Sequence, residues 1–237
     1  MDKNIIIRSL LPINSDLQKL ISQIESDCGE EVVFRRDIAE NHEGASDIIN
    51  GIPTVFLSPA GMCPITICHE LLHIKCKIQN FPRPKTIHAS GEFTKSIIKN
   101  TTLEIAAMIE HKKIYPEMLA FGFDPYKELE NKTWQDLIPN IKVHNPKNPH
   151  EIVNERIIGH HLLYFRNIMR PLSELDSPEL HKEIKKNAKI KCPLALAKAE
   201  KIASLIKSHK KWDQKTYTKV LAESINIAGI PKGTYSI

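Results

Sequence analysis

The stretch from Ile52 to Gln79 limits the fold more than any other part of the chain. Residues Ile52–Leu57 are rich in β-branched and aromatic side chains and predict a strand, and Pro53 within it favours the edge of a sheet. Ser58-Pro59-Ala60-Gly61 then predicts a turn. A helix should begin near Pro64 and end at about Gln79, before the prolines of Phe81-Pro82-Arg83-Pro84. The sequence therefore predicts a strand, a turn and a helix in direct succession.

The helix carries the sequence His69-Glu70-Leu71-Leu72-His73. Two histidines four residues apart project from one helix face about one turn apart, as two ligands of a tetrahedral zinc ion require. Glu70 lies where a carboxylate can accept a proton from a water molecule on the metal. The alternative is a chance pattern in a chain with 11 histidines, but Leu71 and Leu72 are apolar, as a buried active-site helix requires. We therefore predict zinc-dependent hydrolysis of a peptide or similar amide bond.

A catalytic zinc site also needs a third protein ligand, with the fourth position left for water. The next predicted helix, over residues 94–115, offers Glu104, Glu110 and His111. Glu104 and His111 lie on nearly the same face, whereas Glu110 is about 100° away from His111. We favour Glu104 as the ligand because small Ala107 on its face lets two helices approach closely, which leaves His111 to bind substrate or stabilise an oxyanion. His111 as a third histidine ligand is the main alternative, and Glu110 comes after it.

The order of strand, turn, HExxH helix and second helix with a glutamate resembles the compact gluzincin-type zinc metallopeptidases, especially the IrrE-like domains of bacteria and phages. The resemblance covers Glu31 to Pro116. His69, Glu70 and His73 match the motif directly, and Glu104 matches by its position on the second helix. The resemblance implies a metallopeptidase with a glutamate ligand from that helix. A non-catalytic zinc-containing regulatory or interaction module, for example in phage defence or a toxin–antitoxin system, stays open as the alternative.

The expected fold class is α+β, with a small, mostly antiparallel sheet packed on the HExxH helix and the second ligand-bearing helix, followed by an α-helical C-terminal region. Residues 1–125 would form the metallopeptidase-like domain and residues 126–237 a helical extension packed on it, or the two would form one continuous domain. An extended substrate could pair with the strand near Thr54 to Leu57, and Tyr115 could assist at the oxyanion. Further helices are predicted by apolar spacing over residues 14–27, 152–168, 177–189, 195–209 and 216–228, and a short strand over residues 31–35.

The composition fits an ordinary globular protein, with 41% hydrophobic and 26% charged residues. The N-terminus lacks a signal-peptide pattern and no stretch approaches about 18 apolar residues, so we expect a cytoplasmic protein without a membrane segment. Five cysteines without a CxxC pair favour reduced thiols. The net charge of +5 is spread along the chain and does not favour a nucleic-acid partner. A peptide or protein substrate is the expected partner, and the oligomeric state is not indicated.

Two further patterns receive simple interpretations. The basic run Lys207-Ser208-His209-Lys210-Lys211 fits a solvated helix end, where positive charge is favoured. The adjacent pair His160-His161 points in two directions on a helix and is interpreted as packing or interaction residues.

Overall fold

The computed structural model describes residues 5–36, 43–86, 92–126, 168, 172–174, 177–191, 193–230 and 232–237. The fold is α+β, as predicted, with a small three-stranded sheet and a helical C-terminal region. Its elements are, in chain order, the 3-10 helix Arg8–Leu10, α1 (Ser15–Cys28), β1 (Val33–Arg36), β2 (Gly44–Ile49), β3 (Ile52–Leu57), α2 (Pro64–Ile78), β4 (Lys85–Thr86), α3 (Glu92–Ala120), α4 (Pro178–Lys191), α5 (Pro193–Ser208), α6 (Gln214–Ala228) and β5 (Tyr235–Ser236).

The chain forms two compact units. The first comprises Met1–Phe81 and Lys113–Pro125, and the second comprises Pro82–Lys112 and Tyr126–Ile237. Helix α3 contributes residues to both units. The predicted domain boundary after residue 125 stays a prediction, and the helix predicted over residues 152–168, with His160 and His161, lies outside the described residues except for Ile168. No helix in the described part of the chain is long and apolar enough to span a membrane.

The three-stranded sheet is mixed rather than mostly antiparallel. Its order is β1-β3-β2, with β1 parallel to β3 and β2 antiparallel to β3. Strands β2 and β3 form a hairpin whose two turn residues, Asn50 and Gly51, have φ of 52° and 86°. An Asn-Gly pair with positive φ at both positions matches the right-handed twist of a tight hairpin. The local turn chemistry therefore fixes the register of β2 on β3.

The prediction that Pro53 marks an edge strand is wrong, because β3 is the central strand. Pro53 lies opposite Ile48 on β2, one residue pair away from the turn, so its nitrogen points away from β2. On the other side, pairing with β1 begins only at Thr54. The proline therefore occupies a position without a β1 partner, and the rest of the strand is free to pair on both sides.

One face of the sheet is covered by α2, which packs on β2, β3 and α1. Helix α1 begins where the side chain of Asn14 accepts a hydrogen bond from the Leu17 amide at 2.9 Å, and ends at Gly29 with φ of 73°. Its buried side chains are the predicted apolar stripe: Leu17, Leu20, Ile21 and Ile24. Each such side chain contributes about 1.5–3 kcal/mol through burial. Helix α2 is therefore held between α1 and the strands β2 and β3.

Helix α3 does not end at Pro116, as the sequence predicted, but continues to Ala120. Proline normally interrupts a helix because it lacks an N–H and crowds the preceding turn. Here Tyr115 before the proline and Met118 after it are both buried, whereas Pro116 itself is exposed. Packing on both sides of the proline therefore accounts for the continued helix.

The helices of the C-terminal region agree with the predicted apolar spacing. Helix α5 packs on both α4 and α6. Helix α6 begins at Asp213, whose carboxylate accepts a hydrogen bond from the Thr216 amide at 2.7 Å, and ends at Gly229 with φ of 84°. Its Tyr217 is fully buried. The short strands β4 and β5 pair antiparallel in the same unit.

Candidate metal site

Helix α2 begins as the sequence predicts, with Pro64 in its first turn after the N-cap residue Cys63. The helix is buried around most of its circumference, and the buried set includes Glu70 and His73 as well as apolar residues. Buried polar side chains are almost always hydrogen-bonded or bound to a ligand. The two polar residues of the motif therefore require partners inside the protein.

His69 and His73 on α2 form a cluster with His111 on α3. One ring nitrogen from each histidine lies within 4.8 Å of the others, and this is the one group of this kind among the residues that the structure describes. Imidazole nitrogens around a tetrahedral zinc ion are about 3.3 Å apart, since each Zn–N bond is about 2.0–2.1 Å. Small side-chain rotations therefore suffice, and the three histidines could hold a metal ion.

The other two candidates on α3 are not members of this cluster. Glu104 is half-buried. The carboxylate of Glu110 is fully buried and accepts hydrogen bonds from Arg83 at 2.9 and 3.3 Å, with the hydroxyl of Tyr217 3.5 Å away. The ion pair with Arg83 and these hydrogen bonds explain why the Glu110 carboxylate is buried. Among the described residues, the third member that joins the two motif histidines is thus His111, which the sequence offered as the main alternative to Glu104.

Glu70 is held against β2 and beside the histidines. Its Oε1 atom lies 3.2 Å from Nδ1 of His69, and the side chain of Ser46 also hydrogen-bonds to it. Gly44 leaves the space for this carboxylate, because a Cβ atom there would lie 2.9 Å from Glu70 Cγ. Sequence reasoning identified Glu70 but neither Ser46 nor Gly44, since β2 was not predicted.

The Glu70 carboxyl group is ionised at neutral pH. Burial raises its pKa, but the hydrogen bond from His69, the charges of His69 and His73 and the hydrogen bond from Ser46 together lower the pKa to about 2. A buried carboxylate that stays charged is able to accept a proton. The residue between the two histidines therefore has the protonation state of a general base.

His111 has a buried acidic partner that the sequence did not reveal. Its Nδ1 atom lies 2.7 Å from Oε1 of Glu174, and both side chains are almost fully buried, at 3% and 1% exposure. A neutral imidazole that donates from Nδ1 presents the lone pair of Nε2. Glu174 lies in the helical residues 172–174, 63 positions away from His111. No local spacing links the two residues, so no sequence pattern could have paired them.

Tyr115 lies one turn beyond His111 on α3. Its ring centroid is 6.5 Å from that of His69, and the side chain is 4% exposed. The phenol ring of Tyr115 therefore lies close to the His69 ring of the cluster.

No known family model, curated protein or solved structure matches the chain. The resemblance to gluzincin-type metallopeptidases accordingly depends on the motif residues His69, Glu70 and His73 alone. The third member of the cluster is a histidine rather than the glutamate that the resemblance implies.

Proposed function

We propose that the chain is a zinc-dependent hydrolase of peptide bonds, in which His69, His73 and His111 hold the metal and Glu70 is the general base. The observation that carries this proposal is the buried Glu70 carboxylate in hydrogen-bond contact with a cluster of three histidines. Catalytic zinc sites have three protein ligands and an open position, whereas structural zinc sites usually have four protein ligands. Within the described part of the chain the cluster offers three histidines, which is the number of protein ligands at a catalytic zinc site.

The donor set suits zinc. Three imidazoles are ligands that zinc accepts readily, although copper, iron and nickel also bind imidazole. The cluster has no carboxylate or thiolate member among the described residues, which makes hard oxygen-seeking ions such as Mg²⁺ and Ca²⁺ poor candidates. This proposal takes His111 rather than Glu104 as the third ligand, and Glu104 as ligand stays a prediction with less support.

When bound, zinc supplies a Lewis acid that polarises a carbonyl group and acidifies a water molecule. Glu70 then accepts the proton of the attacking water and delivers it to the nitrogen of the leaving amine. Ser46 and His69 hold the carboxylate in place for both transfers. With His111 assigned as a ligand, Tyr115 becomes the candidate donor to the oxyanion.

The predicted substrate pairing with residues 54–57 is not part of the proposal. These residues are paired on both sides, with β1 and with β2. On β2, the carbonyl oxygen of Ser46 accepts a hydrogen bond from Nζ of Lys77. A lysine held on a strand in this way also makes that edge less available to a further strand.

The test is a comparison of zinc-loaded wild-type protein with its Glu70→Gln variant on a peptide library derived from a whole proteome, with new N-termini identified by mass spectrometry. Loss of a general base lowers the rate by about 10²- to 10⁴-fold. We therefore expect new N-termini with the wild type, none above background with Glu70→Gln, and none after chelation. Glu104→Gln is the matched control, because it makes the same change on α3 outside the cluster, and it should retain cleavage.

Two results would refute the proposal. Equal cleavage by wild type and Glu70→Gln would mean that Glu70 is not the base. Stoichiometric zinc without cleavage of any peptide or protein substrate would instead favour the non-catalytic metal-binding module.

A further inference from the structure

We propose that Glu174 positions His111 for the metal and thereby sets the zinc affinity of the site. This inference rests on the proposed function, because it takes His111 as a zinc ligand. It extends that function by making the helical residues 172–174 part of the metal-binding machinery.

The geometry is that of a charge-assisted hydrogen bond. The distance of 2.7 Å between His111 Nδ1 and Glu174 Oε1 is at the short end of the range for N–H donors and carboxylate acceptors. Both groups are removed from water, so solvent does not compete for either partner. The ring of His111 is therefore fixed both in rotation and in the position of its proton.

Metal ligation requires one particular tautomer. A neutral imidazole binds through the nitrogen that carries no proton, and the nitrogen that donates to a carboxylate is the one that keeps it. With Glu174 accepting from Nδ1, the lone pair of Nε2 is available to the metal. Without that acceptor, His111 would lose both its orientation and the preference between tautomers.

Charge balance supports the same role. The three histidines are neutral as ligands, so a bound divalent ion brings two positive charges into a buried region. In the described part of the chain, Glu70 and Glu174 are buried carboxylates in hydrogen-bond contact with cluster histidines. Together they offset the charge of the ion, which favours its retention.

A merely structural role for Glu174 makes a different prediction. A buried hydrogen bond that only stabilises the fold would lower the free energy of unfolding when removed, without a specific effect on zinc. Glu110 provides the comparison, because it is a second buried carboxylate in the same unit, bonded to Arg83 rather than to a cluster histidine.

The experiment measures the zinc dissociation constant of the full-length protein by competition with a chromophoric chelator. Loss of an acceptor behind a ligating histidine typically weakens metal binding about 10- to 100-fold. We expect this weakening in Glu174→Gln and no more than a small change in Glu110→Gln, with both proteins folded by circular dichroism. An unchanged dissociation constant in folded Glu174→Gln would overturn the inference while leaving the proposed function intact.

A second measurement keeps the inference testable if Glu174→Gln fails to fold. Nitrogen NMR of the histidine rings in the metal-free wild type reports which nitrogen of His111 carries the proton at a pH where the ring is neutral. The inference predicts the Nδ1–H tautomer, and a predominant Nε2–H tautomer would overturn it. Absence of zinc binding by the wild type would refute the proposed function as well as this inference.

Discussion

Replacement of Gly44 by alanine should disturb the candidate base directly. A Cβ atom at this position would lie 2.8 Å from Cγ2 of Thr66 and 2.9 Å from Cγ of Glu70, with Oε1 of Glu70 at 3.3 Å. Contacts below 3.0 Å force a shift, and both contacting side chains project from the tightly packed helix α2. The site of the added methyl group is therefore overpacked rather than merely filled.

The expected cost of Gly44→Ala is about 1–3 kcal/mol of unfolding free energy, the usual range for methyl groups forced into a packed region. For a chain of this size this corresponds to a fall in Tm of roughly 2–12 °C. The assay is thermal or urea unfolding in the presence of a chelator, so that metal binding does not contribute. The displaced Glu70 should also reduce cleavage by the zinc-loaded protein.

A double-mutant cycle isolates the contact. Thr66→Ser removes the Cγ2 atom and keeps the hydroxyl that lies 3.2 Å from Sγ of Cys63. Gly44→Ala should therefore cost less in the Thr66→Ser background than in the wild type, with a coupling of about 0.5–1 kcal/mol or more. A Gly44→Ala protein as stable as the wild type, or strictly additive effects, would refute the packing argument.

Three further predictions test other parts of the structure. Arg83→Met should lower the unfolding free energy by about 3 kcal/mol, because it removes the positive charge that pairs with the buried Glu110 carboxylate. The double variant with Glu110→Gln should recover part of this loss in urea unfolding. Asp213→Ala should destabilise the protein at pH 7, and the effect should shrink as the pH falls through the pKa of Asp213, which the hydrogen bonds from Thr216 lower. The Asn14→Ala cap variant, which removes no charge, should instead cost about 1 kcal/mol over the same pH range. Zinc at 100 times its dissociation constant should raise the unfolding free energy by about 2.7 kcal/mol in the wild type and not in His69→Ala, as measured by thermal shift.

Local patterns predicted the elements that bury a regular apolar face. Helix α1 is an example, because its four buried residues recur at helical spacing, and α6 is another. Strand β2 escaped prediction because Gly44-Ala45-Ser46-Asp47 has little strand character, and the strand owes its place to the hairpin with β3. The central position of β3 was missed because the parallel pairing with β1 is a tertiary contact that Pro53 does not prevent.

In the candidate site, too, residues related by local spacing were predicted, and residues brought together by tertiary contacts were not. His69, Glu70 and His73 were predicted because their spacing along one helix fixes their relation to each other. The third member of the cluster depends on how α3 lies against the rest of the structure, and the sequence could only offer His111 as an alternative to Glu104. Glu174 had no signal at all, since its relation to His111 exists only after folding.

The zinc content of purified, metal-replete protein tests the central claim most directly. It should be measured by mass spectrometry on the wild type and on His111→Ala, Glu104→Gln and Glu70→Gln variants. We predict one zinc ion per chain in the wild type, in Glu104→Gln and in Glu70→Gln, and loss of the metal in His111→Ala. Absence of zinc from folded wild-type protein, or its retention in His111→Ala together with its loss in Glu104→Gln, would contradict the proposed site.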